Sequence, residues 1–249
     1  DIFLFYYLAK KLDIIGDGES RENLVSGFIL KWVRDGIITI REKESGAIVK
    51  KKNYDMYLDV DAKFENKQET ALYKMFILAS KEGVLQTKAF QKWCSKHYKK
   101  IDDWFTKVDN VTEDSMNNNG YAKTKTIYKR FLFWNIPHDR TVWTDKAYDQ
   151  CLYVWGFNNF LEDEDNMKEK AAIEVKLWDE YLIFAAVLGI ADCVEKQLKV
   201  AIPRYEETST YNNFPIYYYT HTFAHNSMSA ASSAASAGQG GSSSFSGGG

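Results

Sequence analysis

The sequence predicts a mainly α-helical fold with a small β hairpin, built as a winged-helix-like N-terminal unit followed by a C-terminal helical bundle. Three observations carry that prediction. Between Asn23 and Arg34 the apolar residues fall in two adjacent i, i+4 rows, Leu24–Phe28–Trp32 and Val25–Ile29–Val33, which make one broad helix face. Asp35-Gly36 stops that helix, and the β-branched run Ile37-Ile38-Thr39-Ile40 follows, with a turn at Glu44-Ser45-Gly46 and a return from Ala47. Farther along, eleven uncharged residues lie between Glu180 and Asp192, about half of the ~20 that a bilayer-spanning helix needs. A run that short, hemmed by acids, reads as a buried core helix.

The elements follow in order. Ile2 to Leu12 is a short apolar helix ending in Lys10 and Lys11, which suit the negative end of a helix dipole. Ser20 is placed to cap the double-row helix, and the hairpin after Gly36 completes a winged-helix-like unit over 1–60. A second, degenerate winged-helix-like unit spans 61–120. It opens with a helix through Leu72, Met75 and Phe76, which Gly83 ends. A single long helix capped by Thr87 follows, its stripe Phe90, Trp93, Cys94, His97, Ile101, Trp104, Phe105 and Val108. Residues 121–143 read as aromatic and irregular, broken by Pro137. They open a bundle over 121–204, whose helices run from Thr144 through Trp155, from about Asn166 to Leu188, and from Ile190 to Val200. Gly189 separates the last two, and Trp178 falls on the core stripe with Val175, Leu182 and Ala185. An aromatic segment over 205–226 is expected to lie extended. The Ser/Ala/Gly-rich tail, 227–249, lacks apolar groups to offset ordering and is expected to be disordered, so truncation at Asn226 should leave stability unchanged.

The formal charge of −2 hides an asymmetry. Residues 1–60 balance, 61–130 carry a net +5, and 131–210 carry a net −7. Such segments either dock on one another, orient the molecule beside an anionic membrane face, or are ordinary solvated faces. Three scattered cysteines, Cys94, Cys151 and Cys193, fit free thiols in a reducing compartment. The start at Asp1, without Met or a signal peptide, reads as a piece of a longer protein.

Candidate sites are few. If the first unit bound DNA, the Asn23–Arg34 helix would enter the major groove with Arg34 among its contacts, and Arg41, Lys43, Lys50, Lys51 and Lys52 of the hairpin would touch phosphates. A neutral first unit supplies little surplus charge for that. His97 reads as a core histidine. His221 and His225, an i, i+4 pair, lack the Glu of a metalloprotease helix and read as a solvated segment. The acids from Glu162 to Asp165 lack calcium-loop spacing. No G-x-S-x-G, G-x-x-x-x-G-K, G-x-G-x-x-G or H-E-x-x-H occurs. No catalytic residue, cofactor, metal or small-molecule substrate is inferred.

Trp178-Asp179-Glu180-Tyr181-Leu182, Leu188-Gly189-Ile190-Ala191-Asp192 and Val194-Glu195-Lys196-Gln197 resemble the C-terminal region of the YciQ-like predicted bacterial membrane proteins, with weaker similarity at Trp155-Gly156-Phe157 and Phe160-Leu161. The resemblance implies a cytoplasmic region of a membrane-anchored protein and carries over no site residues. The expected function is a non-enzymatic interaction or scaffold region with a protein partner. The alternative is a nucleic-acid-binding winged helix.

Overall fold

A computed structural model of the chain describes residues 1–16, 18, 20–45, 51–131, 133–163, 175–201, 211 and 216–239. Its elements are α1 (Ile2–Lys11), α2 (Ser20–Arg34), β1 (Ile38–Ser45), β2 (Lys51–Leu58), α3 (Lys67–Ala79), β3 (Val84–Gln86), α4 (Thr87–Lys96), α5 (Tyr98–Asn118), β4 (Ala122–Phe131), β5 (Trp134–Trp143) and α6 (Asp145–Glu162). Then come α7 (Val175–Leu188), α8 (Ala191–Ala201) and α9 (Ile216–Gln239). The expected mainly helical content with small antiparallel sheets is observed.

Everything is arranged around α2. The double apolar row fills its buried side as expected, but Ser20, Glu22, Asn23, Ser26 and Gly27 are buried as well, so neighbours enclose the helix almost on all sides. Helix α7 runs along one flank and α9 along another. The α2–α7 crossing is tight at Gly27, where an added Cβ would stand 2.6 Å from Val187 Cγ2 and 3.3 Å from the Ile183 carbonyl oxygen. At the far end, the Trp32 indole N–H donates to Glu69 Oε1 at 3.0 Å, and Lys31 Nζ reaches the same oxygen at 2.6 Å, which ties α2 to α3. Tyr73 and Phe76 close on the Trp32 ring edge-on, at 4.9 and 5.2 Å.

After Gly36, whose φ of +72° suits a glycine, β1 pairs antiparallel with β2, from Ile38 opposite Leu58 to Ser45 opposite Lys51. The turn expected at Ser45-Gly46 falls at residues 46–50, outside the described residues. The third strand, β3, pairs with β2. Residues expected to form two successive units therefore share one sheet, and one continuous apolar core runs from Phe3 through Ala231.

Three expectations are corrected. The long helix from Thr87 is two helices, because His97 takes a non-helical conformation (φ −116°, ψ 31°), its ring 4.6 Å from that of Trp93. Helix α4 packs mainly on α9, while α5 meets α9, α1 and α3. Residues 121–143 are not irregular but form a two-stranded hairpin with ten residues in each strand. Pro137 fits because β5 is an edge strand.

The third correction concerns the C-terminus. Residues 216–226 are not extended, and 227–239 are not disordered: together they form α9, which crosses α2 and α4. Its buried positions Thr220, Phe223, Ala224, Ser227, Met228 and Ala231 recur at helical spacing. Small residues let the helices approach closely, and the hydroxyls find partners within the helix: Ser227 Oγ donates to the Phe223 carbonyl at 2.7 Å and Thr220 Oγ1 to that of Tyr217 at 3.0 Å. Residues 240–249 lie outside the described residues. In the bundle, Trp178 is the core residue expected, 2% exposed and edge-on to Tyr181 at 5.2 Å.

Two outcomes are expected. Gly27→Ala lowers stability by up to ~2 kcal/mol, the overpacking cost of ~1–3 kcal/mol less the ~1 kcal/mol helix preference of Ala over Gly. Adding Val187→Ala to that variant recovers part of the loss, and denaturant midpoints of the four proteins test the coupling. A chain ending at Asn226 loses at least ~1.5–3 kcal/mol, the contribution of one fully buried Met side chain, and equal thermal melts for the two lengths would show that α9 does not stabilise the core.

Candidate functional site

The enclosure of α2 decides the nucleic-acid expectation for that helix. The segment expected to enter a major groove has no open face. Arg34, at its end, is half-buried. Burial opposes its charge, but the hydrogen bond to Asp35 Oδ1 at 2.9 Å and the fields of Asp35, Tyr211 and Glu180 outweigh burial and raise its pKa. Its charge is thereby largely committed inside the protein. Arg41 is exposed on β1, with its guanidinium 4.6 Å from the Tyr57 ring centroid. Lys43, Lys51 and Lys52 lie on the hairpin strands, opposite Asn53, Ser45 and Glu44 in register. Lys50 is outside the described residues. By register Arg41, Lys43 and Lys51 belong to one set of alternating positions and Lys52 to the other.

The histidine expectations divide. His97 is half-buried at the α4–α5 junction rather than inside a continuous helix. His221 and His225 are not in a solvated coil. They stand one turn apart on α9 with stacked rings 6.3 Å apart, and His225 Nδ1 lies 2.9 Å from Glu22 Oε1 of α2. Among the described residues, no group of three His, Cys, Asp or Glu side chains is positioned to hold a metal ion. The thiols are free. Burial pushes the Cys94 thiol up to about 12 and raises that of Cys151, so neither supplies a thiolate near neutral pH.

A concave surface lies between α1, α6 and α7, a groove of about 690 Å³. Its floor is aromatic: Phe5 meets Phe184 edge-on at 4.9 Å, and Phe157 meets Tyr181 at 5.0 Å. Leu152 and Tyr153 form one wall, Asp1 and Glu180 line one part of it, and among the described residues no Lys, Arg or His does. The volume falls in the ~300–1,000 Å³ range of ligand-binding clefts. Helix α6 buries Ala147, Cys151, Val154 and Leu161, and turns Tyr148, Leu152 and Trp155 outward as an i, i+4, i+7 stripe. Sequence reasoning places these residues on a bundle helix but does not reveal that this apolar stripe is uncovered.

The residues that resemble the membrane-protein family do other work. Trp178, Leu182, Leu188, Ala191 and Val194 are buried, and the first three lie on α7, the helix that flanks α2. Gly189 adopts φ +82°, and an added Cβ there would stand 2.8 Å from Asn23 Nδ2 of α2. The motif is therefore the packing surface for the central helix.

The fold and groove define a mainly helical module with two small antiparallel sheets and, among the described residues, an exposed apolar stripe on α6. Residues 130–198 match the family described as predicted membrane protein (DUF2207) C-terminal domain. The match begins at Arg130 in β4, spans α6 and α7, and ends in α8. The comparisons with curated proteins and with solved structures return no match. Among the described residues, no helix is long and apolar enough to cross a membrane.

Thiol chemistry checks this arrangement. With a thiol-reactive chromogenic disulfide near neutral pH, exposed Cys193 is expected to react first, and Cys94 only as fast as the protein unfolds. Rapid native-state labelling of Cys94, read by mass spectrometry, would contradict its burial.

Proposed function

We propose that the chain is a non-enzymatic interaction module of a membrane-anchored bacterial protein. It works at the cytoplasmic face of the membrane and holds an apolar segment of a protein partner along α6. The observation that carries this reading is the groove of about 690 Å³ beside the exposed stripe Tyr148, Leu152 and Trp155. A soluble protein rarely leaves such large side chains uncovered in a contiguous set. An amphipathic helix or extended segment would bury its apolar side on the aromatic floor, and Asp1 and Glu180 favour a basic residue at its end. The membrane anchor is supported by the family match over 130–198. The cytoplasmic side is supported by three free cysteines, a state suited to reducing compartments.

A photo-crosslinking residue at Leu152, in the parent protein and in native membranes, tests the reading. The expected result is one discrete adduct that is absent when the same residue replaces exposed Lys92 on α4. It should also be lost on Trp155→Glu, with the thermal melt of the protein unchanged. An adduct formed equally from both positions, or from neither, would falsify the groove as the partner site.

A further inference from the structure

We propose that the β4–β5 hairpin is a membrane-docking arm that binds bilayers of anionic phospholipid. Its basic face sits on the headgroups, and its Phe133–Trp134 tip lies at the boundary with the acyl chains. The arm is a separate surface from the groove along α6, so the two readings stand or fall independently.

The register assigns the faces. Directly opposed residues of an antiparallel pair point the same way, and successive residues alternate. The pairs Lys123–Val142, Lys125–Arg140, Ile127–His138 and Lys129–Ile136 therefore share one face, with Trp134 at its distal end. That face carries four permanent cations and no carboxylate, because the hairpin's single acid, Asp139, belongs to the other register set, opposite Thr126. Lys123, Lys125, Lys129, Ile136, His138, Arg140 and Val142 are all exposed. At the tip, Phe133 is 93% and Trp134 75% exposed, the two most exposed large hydrophobic side chains among the described residues.

The base is fixed while the arm is free. Thr144 Oγ1 donates to the carbonyls of Gly120 at 2.8 Å and Tyr121 at 3.2 Å, and Lys146 Nζ lies 4.4 Å from the Tyr121 ring centroid. Beyond the pairing of its own strands, the hairpin's main contacts are with α5 and α6, the helices on either side of it in sequence. Ten residues at ~3.3 Å each carry the tip ~30 Å along the strands.

Charge complementarity selects the occupant. A second copy placed face to face would oppose cation to cation. A nucleic-acid backbone would neutralise the cations but offers little to cover Ile136 and Val142 interleaved among them. An anionic bilayer accepts both: lysine and arginine at the headgroups, and tryptophan and phenylalanine at the interface. Each cation near such a surface strengthens binding about five-fold.

The 249-residue chain sedimented with vesicles tests the proposal. It is expected to bind phosphatidylcholine vesicles that contain phosphatidylserine, to ignore pure phosphatidylcholine, and to release as salt is raised. Lys125→Glu/Lys129→Glu should weaken binding by ~10-fold or more, and Phe133→Ser should weaken it while leaving the salt dependence intact. Both substitutions are at exposed positions, and circular dichroism melts matching the parent confirm folding. Spin-labelled lipid should quench tryptophan emission in the parent and not in Trp134→Phe. Absence of phosphatidylserine-dependent binding overturns the proposal, as does binding that both variants retain. Tighter binding to a duplex or single-stranded oligonucleotide than to vesicles, or hairpin-dependent self-association, assigns the arm to another partner and overturns it equally.

Discussion

The close approach of α2 and α7 at Gly27 is the constraint on which the rest of the structure depends. A glycine in mid-helix costs roughly 1 kcal/mol relative to alanine, and here it lets the Val187 methyl and the Ile183 carbonyl lie against the α2 backbone. With α7 that near, α2 is covered on a side that its two apolar rows do not reach, and α9 covers another, where Ser26 Oγ donates to Thr220 Oγ1 at 3.2 Å. A helix enclosed in this way cannot also serve as a reading surface. The glycine thus belongs to the packing that leaves little of α2 exposed.

The interior that the sequence made legible is the part built from large apolar side chains at regular spacing. Leu24 through Trp32, the Leu72–Phe76 turn, and the run from Trp178 to Leu188 bury most of the residues their periodicity nominates, with Val33 and Tyr181 partly buried. The interior it hid is the part built from small residues. In α9 the buried stripe is Thr220, Ala224, Ser227 and Ala231, which scores as polar low-complexity sequence because close packing, not side-chain bulk, makes it stable. The readable signal was Phe223 and Met228 among small residues at helical spacing, and it was outweighed by composition. The β4–β5 hairpin escaped for the opposite reason. Neither face is buried along most of its length, so its Lys-Thr-Lys-Thr alternation carried no apolar contrast. The groove was hidden more deeply, since a sequence shows that Tyr148, Leu152 and Trp155 share a helix face without showing that nothing covers it.

The matched stretch, 130–198, joins two kinds of surface. Its α7 portion is interior, committed to α2 through Trp178, Ile183, Val187 and the turn at Gly189. Its β5 and α6 portions carry eight exposed large hydrophobic side chains, from Trp134 through Trp155. A domain held rigid by one half of a segment while the other half is left uncovered is organised for contact, and the proposed function rests on that division.

The charge asymmetry along the chain becomes spatial in the fold. Cations of the positive segment stand on β4, and Glu180 of the negative segment lines the groove between α1, α6 and α7. Helix α6 joins the two surfaces. Its first turn is tied to the hairpin base through Thr144 and Lys146, and its middle forms the groove wall at Leu152 and Tyr153. A displacement of the arm must therefore either bend the Gly120–Thr144 junction or move α6 with it. Thr144 bonds both carbonyls of that junction and Lys146 lies over the Tyr121 ring, so the hairpin base and the first turn of α6 behave as one piece. The hairpin base and the groove wall thus sit on the same helix, α6.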